Sequence, residues 1–583
     1  MQDNRSAPDS GFCPPGAAPA GPRPGRGGPG HRRGASRGIG GPECKMRDRG
    51  PEFAQASARG DQGNIMIEDA RRLEPGTRLA ADVAIIGSGA AGVALALALA
   101  RKSPRARVLL LEAGGKNHDI KEQSRHFAGE VSDPRHPPLN LYRRRMLGGT
   151  TSVWGGRCIA MEPDDFAARP DLGRPGWPVS YPDIARYYAR ALELLEAGAC
   201  AFDAAQALPD APPGMGPVRP GTGLVVDRVE RFSPPTNLGT RYAGELEAAP
   251  NIRVLLNAPC VEIVTTGSGG KVQGLVLRAG GNLLQAAARN IVIAAGGLET
   301  PRLMLWSARA GRGWISPHLG RHYMTHYTGD LGHIRFAHPP ERLQLGYAMS
   351  HDGIWCRRLL QLDQRTRREN GLVNFVLRPS IGAIHDPAHG NSILSAAFLT
   401  KRFLIPEYAR RLASMPAEPG ASAMPPVALH LRNLATGMPG LLKFTGNWTR
   451  QRILPRRKLP SLFLPRANGV YPLEFNAEQI ADPRSAVALS RERDPNGVPL
   501  LSVNWRMAPD FPERLLGIYD VMGRCLRASG LGEIVLTGAE RNLAPERCQS
   551  QGGHHMGTAR MSSAPGEGVV DPDLQVWGTQ GLY

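Results

Sequence analysis

The sequence has no apolar run long enough to cross a bilayer as a helix. Its longest uncharged stretch, Val83 to Ala100, is interrupted by glycines and reads as a strand turning into a helix, whereas a spanning helix needs roughly 20 mostly apolar residues. Cysteine is sparse: eight in 583 residues, at 13, 44, 158, 200, 260, 356, 525 and 548, with no CxxC pair and no metal-ligand spacing. That excludes a disulfide scaffold, offers no metal site and predicts free thiols in a reducing compartment. The twin arginine Arg32-Arg33 is followed by no apolar stretch, so no export signal is read and a cytoplasmic location is expected. Acidic residues are short in number, 52 against 71 Lys and Arg, for a net charge of +19. The excess is local. Residues 1–65 hold ten basic against six acidic residues, and residues 401–466 hold twelve against two. No zinc-finger, RRM or helix-turn-helix pattern accompanies it, so nucleic acid is not an expected partner. What remains, 41% hydrophobic and 21% charged, suits a globular chain with one large domain or two interleaved ones.

The most informative segment is Asp82-Val-Ala-Ile-Ile-Gly-Ser-Gly-Ala-Ala-Gly92. Val83 to Ile86 is an apolar run of the kind a strand buried on both faces needs. Gly87 suits a tight turn, Gly89 lets the backbone approach a pyrophosphate, and Gly92 allows close packing of the following helix, about Ala90 to Arg101. A second apolar run, Val108 to Leu111, ends at Glu112, 25 positions after Gly87, where an acid can hold ribose hydroxyls. These pieces predict a dinucleotide site. Glu112 disfavours a 2′-phosphate but does not separate NAD from FAD, and a Gly-rich helix start in an ordinary α/β domain is the plainer alternative.

Residues 11–42 are Gly or Pro at 18 of 32 positions and are expected to be disordered, with Met66 a candidate translation start. Ser180 is a helix N-cap, the helix starting near Pro182 with Ile184, Tyr187, Tyr188, Leu192 and Leu195 on one side. Residues 251–295 read as β-rich, with Gly269-Gly270 as a hairpin turn and a last strand Asn290 to Ala295. After Gly296-Gly297 a helix is expected at Thr300-Pro301, with proline at its start. Strands are expected around Ala486 to Leu489 and Leu500 to Trp505, and a helix over Phe511 to Ser529.

With the first motif, three further segments resemble those of the glucose–methanol–choline (GMC) family of flavin oxidoreductases. They are Gly148-Gly-Thr-Thr-Ser-Val-Trp-Gly-Gly156, Gly296-Gly-Leu-Glu-Thr-Pro-Arg-Leu-Met-Leu-Trp-Ser307, and Gly553-His-His-Met-Gly-Thr-Ala-Arg-Met561 with the following Val569 to Val576. The Gly296–Ser307 segment departs from the family at Gly297 and, just after its end, at Ala308; with the first motif counted, it is the third motif. The resemblance spans residue 79 to the last residue. It implies an α/β fold in which an FAD-binding, Rossmann-type domain (79–160, 224–330 and 541–583) interleaves with a mixed-sheet α+β substrate domain (161–223 and 331–540, with the basic insertion 401–466), after an extension 1–65. It implies FAD contacts at Gly87, Gly89, Gly92, Glu112, Gly148, Gly149, Thr150, Trp154, Gly155, Gly156, Val261, Ala295 and Gly296. It also places His554, first residue of an HxxGT motif, at the flavin and the substrate hydroxyl. A neutral imidazole suits that place, because oxidising an alcohol requires a base for the hydroxyl proton while hydride leaves for flavin N5. His555, Met556 and Arg560 are expected to shape the loop. Val153 stands where some relatives, such as pyranose oxidase, tether FAD through histidine, so noncovalent FAD is expected.

The implied activity is FAD-dependent oxidation of a CH–OH group, in a sugar or polyol by analogy, with oxygen, a quinone or a redox protein as acceptor. Compared with the family pattern the chain stops at Gly581-Leu-Tyr583, before a turn and closing helix that carry a second catalytic His or Asn. The expectation is a fragment of a longer product; the alternative is a truncated, inactive flavin- or nucleotide-binding protein. The basic segment 401–466 interleaves apolar and cationic residues. That fits either a solvated basic face on a helical insertion or a peripheral contact with an anionic inner-membrane surface.

Overall fold

The computed structural model describes residues 67–583, apart from 405–426 and shorter gaps at 210–213, 217, 267–269, 311–313, 382–383, 456, 462 and 467. The Gly/Pro-rich segment 11–42, Met66 and Gly269 lie outside the described residues.

A seven-stranded sheet runs in the order Ile67–Asp69, Ile252–Leu256, Val108–Leu111, Arg78–Ile86, Asn282–Ile293, Val272–Ala279, Cys260–Thr265. The first five are parallel and the last two add as antiparallel hairpins. Burial explains the apolar strands: Ile85 and Leu110 are wholly enclosed, as a central parallel strand covered on both faces requires. The helix Ala90–Lys102 follows the middle strand and buries Val93, Ala96 and Leu97. The carboxyl ends of Arg78–Ile86 and Asn282–Ile293 lie side by side, with Ala294 N donating to Ile86 O at 2.8 Å. The first and third motifs therefore open from adjacent strand ends, where open α/β sheets form their ligand crevice.

A second sheet is antiparallel, in the order Phe375–Pro379, Val470–Glu478, His326–Phe336, Gly532–Val535. Its strands are two-sided. Tyr471, Leu473, Phe475 and Ala477 are at most 1% exposed while Glu474, Asn476 and Glu478 alternate onto the other face. The apolar face packs on the helix Phe511–Ser529, which buries Phe511, Leu515, Ile518, Met522 and Leu526 at helical spacing. That helix has the bounds its sequence pattern predicts.

Three expectations give way. The segment after Ser180 is two helices, Tyr181–Ala185 and Tyr188–Leu194, because Tyr187 N donates to Ile184 O three residues back and this tighter turn offsets the second helix. Tyr187 is 55% exposed rather than part of an apolar stripe. The strand expected at 290–295 is the end of a twelve-residue strand, Asn282–Ile293. It is paired to Val272–Ala279 through a two-residue turn at Gly280-Gly281, both at positive φ. The helix expected at Thr300-Pro301 is Gly296–Ser307, so Pro301 lies inside it. Proline lacks the N–H that would bond the carbonyl four residues back, and that carbonyl, Gly297 O, accepts instead from Thr558 Oγ1 at 2.7 Å. The proline is tolerated because the HxxGT loop supplies the missing donor.

Candidate active site

A cavity of about 2150 Å³ lies at the carboxyl ends of the parallel strands and extends to the polar face of the antiparallel sheet. Gly89 starts the helix Ala90–Lys102 without a capping side chain, and Ala295 starts Gly296–Ser307 the same way. Both helix N-termini line the cavity. Their first-turn amides have no intrahelical partner and favour negative charge. A Cβ on Gly89 or Gly155 would meet nothing within 4 Å, so at both points bare backbone faces open space. The glycine-rich segment is seated on the first motif: Gly148 N donates to Ser88 O at 3.0 Å, and a Cβ on Gly149 would stand 3.0 Å from Gly89 Cα. Glu112 lines the same wall, its carboxylate held by Ser88 Oγ at 2.6 Å, Ser88 N at 3.2 Å and Gly114 N at 2.8 Å. Burial raises the Glu112 carboxyl above its ordinary range, against the pull of those three donors.

Two adjacent histidines have different surroundings. His554 is exposed and lines the cavity, its ring 4.7 Å from that of His326 at 79°. Although the residue keeps an open edge, the cavity walls desolvate its ring, and this, then the charge of Arg157, lowers its pKa, so the ring is held neutral at neutral pH. His555 belongs to a buried chain. His136 Nδ1 is 2.7 Å from Pro137 O and must carry the proton of that bond. Burial pulls His136 down to about 4, so its Nε2 is an acceptor for the Tyr323 hydroxyl at 2.7 Å. The Tyr323 oxygen then accepts from His555 Nδ1 at 2.7 Å. Burial also keeps His555 neutral, and its Nε2 is enclosed with no hydrogen-bond partner among the described residues. Both histidines line the cavity, but the His555 ring is tied to Tyr323 while the His554 ring has no hydrogen-bond partner among the described residues.

At the wall of the same cavity, the polar face of the antiparallel sheet takes part in an ion cluster. Arg378 donates through Nε and Nη2 to the two oxygens of Glu230, both at 3.2 Å, and Arg157 reaches Glu230 at 3.1 Å. Arg378 also meets Glu474 at 3.5 Å, and Asn476 Nδ2 donates to Glu474 at 3.1 Å. Burial alone would raise Glu474, but Arg378 and Arg157 hold it below the usual carboxylate range.

The family model described as FAD dependent oxidoreductase matches residues 82–366, and the one described as GMC oxidoreductase matches residues 481–583. Together these matches support a GMC-family FAD oxidoreductase. Among curated relatives, the oxygen-dependent choline dehydrogenase of Rhizobium etli is 33% identical over 126 residues, 19% of this chain and 22% of that protein. A dehydrogenase of Strobilurus tenacellus is 30% identical over 139 residues, 21% of this chain and 22% of that protein. The matched segment thus spans about a fifth of each curated relative. Solved structures similar to the chain include pyridoxine 4-oxidase from Mesorbium loti, at 17% identity and TM-score 0.45, covering 86% of this chain and 93% of that one. Formate oxidase from Aspergillus oryzae is at 15% and 0.42, covering 88% and 93%.

The cofactor of a GMC oxidoreductase is FAD, and the residues present fit it: two uncapped helix N-termini, bare backbone at Gly89 and Gly155, and a buried acid converge on one long cavity. Of the predicted contacts, Gly87, Gly89, Glu112, Gly149, Thr150, Trp154, Gly155, Val261, Ala295 and Gly296 line it. Gly92, Gly148 and Gly156 are not brought to its wall. They serve packing, since a Cβ on each would stand 1.9 Å from Gly87 O, 2.3 Å from Asn237 Oδ1 and 2.5 Å from Ser233 O respectively. Val153 lines the cavity.

The sequence reading missed the ion network beside the third motif. Glu299 accepts from Arg143 at 2.9 Å and Arg302 at 2.8 Å, and Arg302 continues to Asp494 at 3.0 Å. It anchors the Gly296–Ser307 helix to segments far away in sequence, and its signal was available: two charges three residues apart in an otherwise apolar helix. The six described cysteines are free. Among the described residues no helix is long and apolar enough to cross a membrane.

Proposed function

We propose that the protein oxidises a CH–OH group of a sugar or polyol, with FAD held noncovalently and His554 as the base. The observation that carries this reading is the polar cavity wall, where Arg378, Glu474 and Asn476 on the antiparallel sheet and Arg157 on a neighbouring strand are fixed by one another and by Glu230. A wall of placed donors and acceptors matches a ligand whose many hydroxyls both donate and accept. Bound FAD supplies a two-electron acceptor for the hydride. The chain's own part is to orient the hydroxyl on the polar face and to receive its proton at the neutral His554 ring. In this reading the parallel sheet belongs to the FAD-binding domain and the antiparallel sheet to the substrate domain. Oxygen, a quinone or a redox protein takes the electrons onward, and the name of the oxygen-dependent choline dehydrogenase relatives supports oxygen. The test is anaerobic bleaching of the bound flavin by a panel of hexoses, polyols and simple alcohols. A hexose or polyol should reduce it fastest; reduction by ethanol or methanol alone would overturn the substrate class.

Val153 supports noncovalent attachment, since its side chain has no nucleophile to bond the isoalloxazine at the position where some relatives carry a histidine. Acid precipitation should release all of the FAD into the supernatant, and a yellow pellet would contradict it.

The basic insertion supports a peripheral contact with an anionic membrane. Phe403, Leu404, Leu442 and Leu454 are between 67% and 74% exposed, in a segment rich in Lys and Arg. The protein should sediment with vesicles containing phosphatidylglycerol and not with pure phosphatidylcholine, less so as salt is raised. Equal recovery with both vesicles, or with neither, would remove this reading.

A further inference from the structure

His326 is the first residue of the strand His326–Phe336 and pairs with Glu478. Strand alternation sends its neighbour Tyr327 into the core, 1% exposed with its ring 3.8 Å from Phe511, and leaves His326 at the cavity. The backbone fixes where this ring stands relative to His554. Gln551 N donates to His326 O at 2.8 Å, and His554 N donates to Gln551 O at 3.1 Å. One step outward, Met324 and Met556 exchange both backbone bonds, at 2.9 and 3.0 Å. Thr325 Oγ1 and Ser550 Oγ meet at 2.9 Å on the same seam. Two imidazoles from segments more than 200 residues apart are thus held ring to ring at 4.7 Å, and neither has a hydrogen-bond partner among the described residues.

We propose that His326 is a second catalytic imidazole, whose N–H donates to the oxygen of the reacting CH–OH and holds it against His554. This rests on the reading of His554 as the base. As the hydroxyl proton passes to His554, negative charge grows on the substrate oxygen until the C–H hydride leaves for oxidised FAD. The alcohol becomes a carbonyl, its hydride and both electrons going to the acceptor that bound FAD would supply, and His554 keeps the proton. His326 ends with the proton it began with. A single imidazole cannot serve both needs, because the nitrogen that takes the proton has none to donate before transfer. Burial, then His554 and Arg378, brings His326 down to about 4, so it stands neutral beside a protonated His554 and has one N–H to give. A donor placed beforehand at a developing oxyanion stabilises the transition state more than the ground state.

The experiment compares FAD-loaded full-length wild type with His326→Leu, His326→Asn and His554→Ala. It measures the limiting rate of anaerobic flavin reduction and the half-saturating concentration of the best reductant from the sugar and alcohol panel. It also measures binding of 2,2,2-trifluoroethanol, read from the flavin absorbance, as an alcohol whose fluorines disfavour hydride loss. His326→Leu should keep its FAD yet lose roughly 10²–10³ in limiting rate and bind trifluoroethanol about tenfold less tightly. His326→Asn, which restores an N–H, should recover at least about tenfold of that rate. His326→Ala is the donor-free variant that adds no bulk, should leucine impair FAD loading. A donor-free variant that reduces its flavin at the wild-type rate, or an asparagine variant no faster than leucine, overturns the proposal. If His554→Ala is slowed while the donor-free variants are not, only the role of His326 falls. If His554→Ala is itself unchanged, the reading of His554 as the base falls with it.

Discussion

His554→Ala should retain FAD and lose roughly 10²–10⁴ in the rate of flavin reduction, the usual range for removing a general base. The ring lines the cavity and packs on His326, while the HxxGT loop is held by other groups: Thr558 Oγ1 on Gly297 O at 2.7 Å and the paired backbone of Met324 and Met556. Truncating it therefore removes chemistry with little loss of structure. The base must be neutral to act, and burial with Arg157 lowers its pKa from the ordinary 6.5. In the wild type, then, flavin reduction should hold level as pH falls through 6.5 and decline only at lower pH, where the ring protonates. Stopped-flow reduction across pH measures both effects. An unaltered rate in the alanine variant, or an acid limb centred at or above 6.5, would remove His554 from the reaction.

Gly92→Ala should abolish FAD loading and destabilise the fold, whereas Gly89→Ala should abolish loading alone. The added carbon at residue 92 would stand 1.9 Å from Gly87 O and 3.0 Å from Gly87 C, neither of which can swing aside as a side chain can. The helix Ala90–Lys102 has to lift from the strand, opening the packing of Val93, Ala96 and Leu97 and withdrawing its first-turn amides from the cavity. Overpacking of this kind costs about 1–3 kcal/mol, here with backbone on both sides of the clash. At residue 89 a Cβ meets no protein atom within 4 Å and projects where backbone faces open space. The apoprotein should unfold at an unchanged temperature while the cofactor is displaced. Flavin absorbance and apoprotein Tm, measured together, separate the two outcomes. A Gly92→Ala protein with full flavin and wild-type Tm would mean that this glycine does not seat the helix.

Much of the nucleotide-binding half was legible because its signals are local. Strand, turn, helix and acid follow within Asp82 to Glu112, and each step is dictated by residues a few positions apart. The helix Phe511–Ser529 was legible for the same reason: its apolar residues recur at helical spacing over 19 residues, enough turns to define one buried face. The failures mark where a distant group overrides a local preference. Proline normally opens a helix, and Pro301 was read that way; only Thr558, 261 positions from the carbonyl it bonds, makes an interior proline tolerable. The Gly280-Gly281 turn is hidden in sequence because the stronger apolar run, Ile291 to Ile293, lies at the far end of the strand Asn282–Ile293 that the turn opens.

By itself the sequence determined which segments become strand and helix around the first motif, where the backbone lacks side chains and can approach a ligand, and which histidine begins the HxxGT motif. These are properties of φ, ψ and side-chain periodicity, carried by neighbouring residues. Only the tertiary structure decided that His555 is tied to Tyr323 and His136 while the His554 ring is left at the cavity without a hydrogen-bond partner among the described residues. It likewise decided that Arg378 meets Glu230 across 148 positions and that His326 stands beside His554. Each of those outcomes depends on the register of the antiparallel sheet and on how the two sheets bring their loops to one cavity. A one-residue slip in that register would reverse which face His326 and Glu474 occupy while leaving their local sequence unchanged.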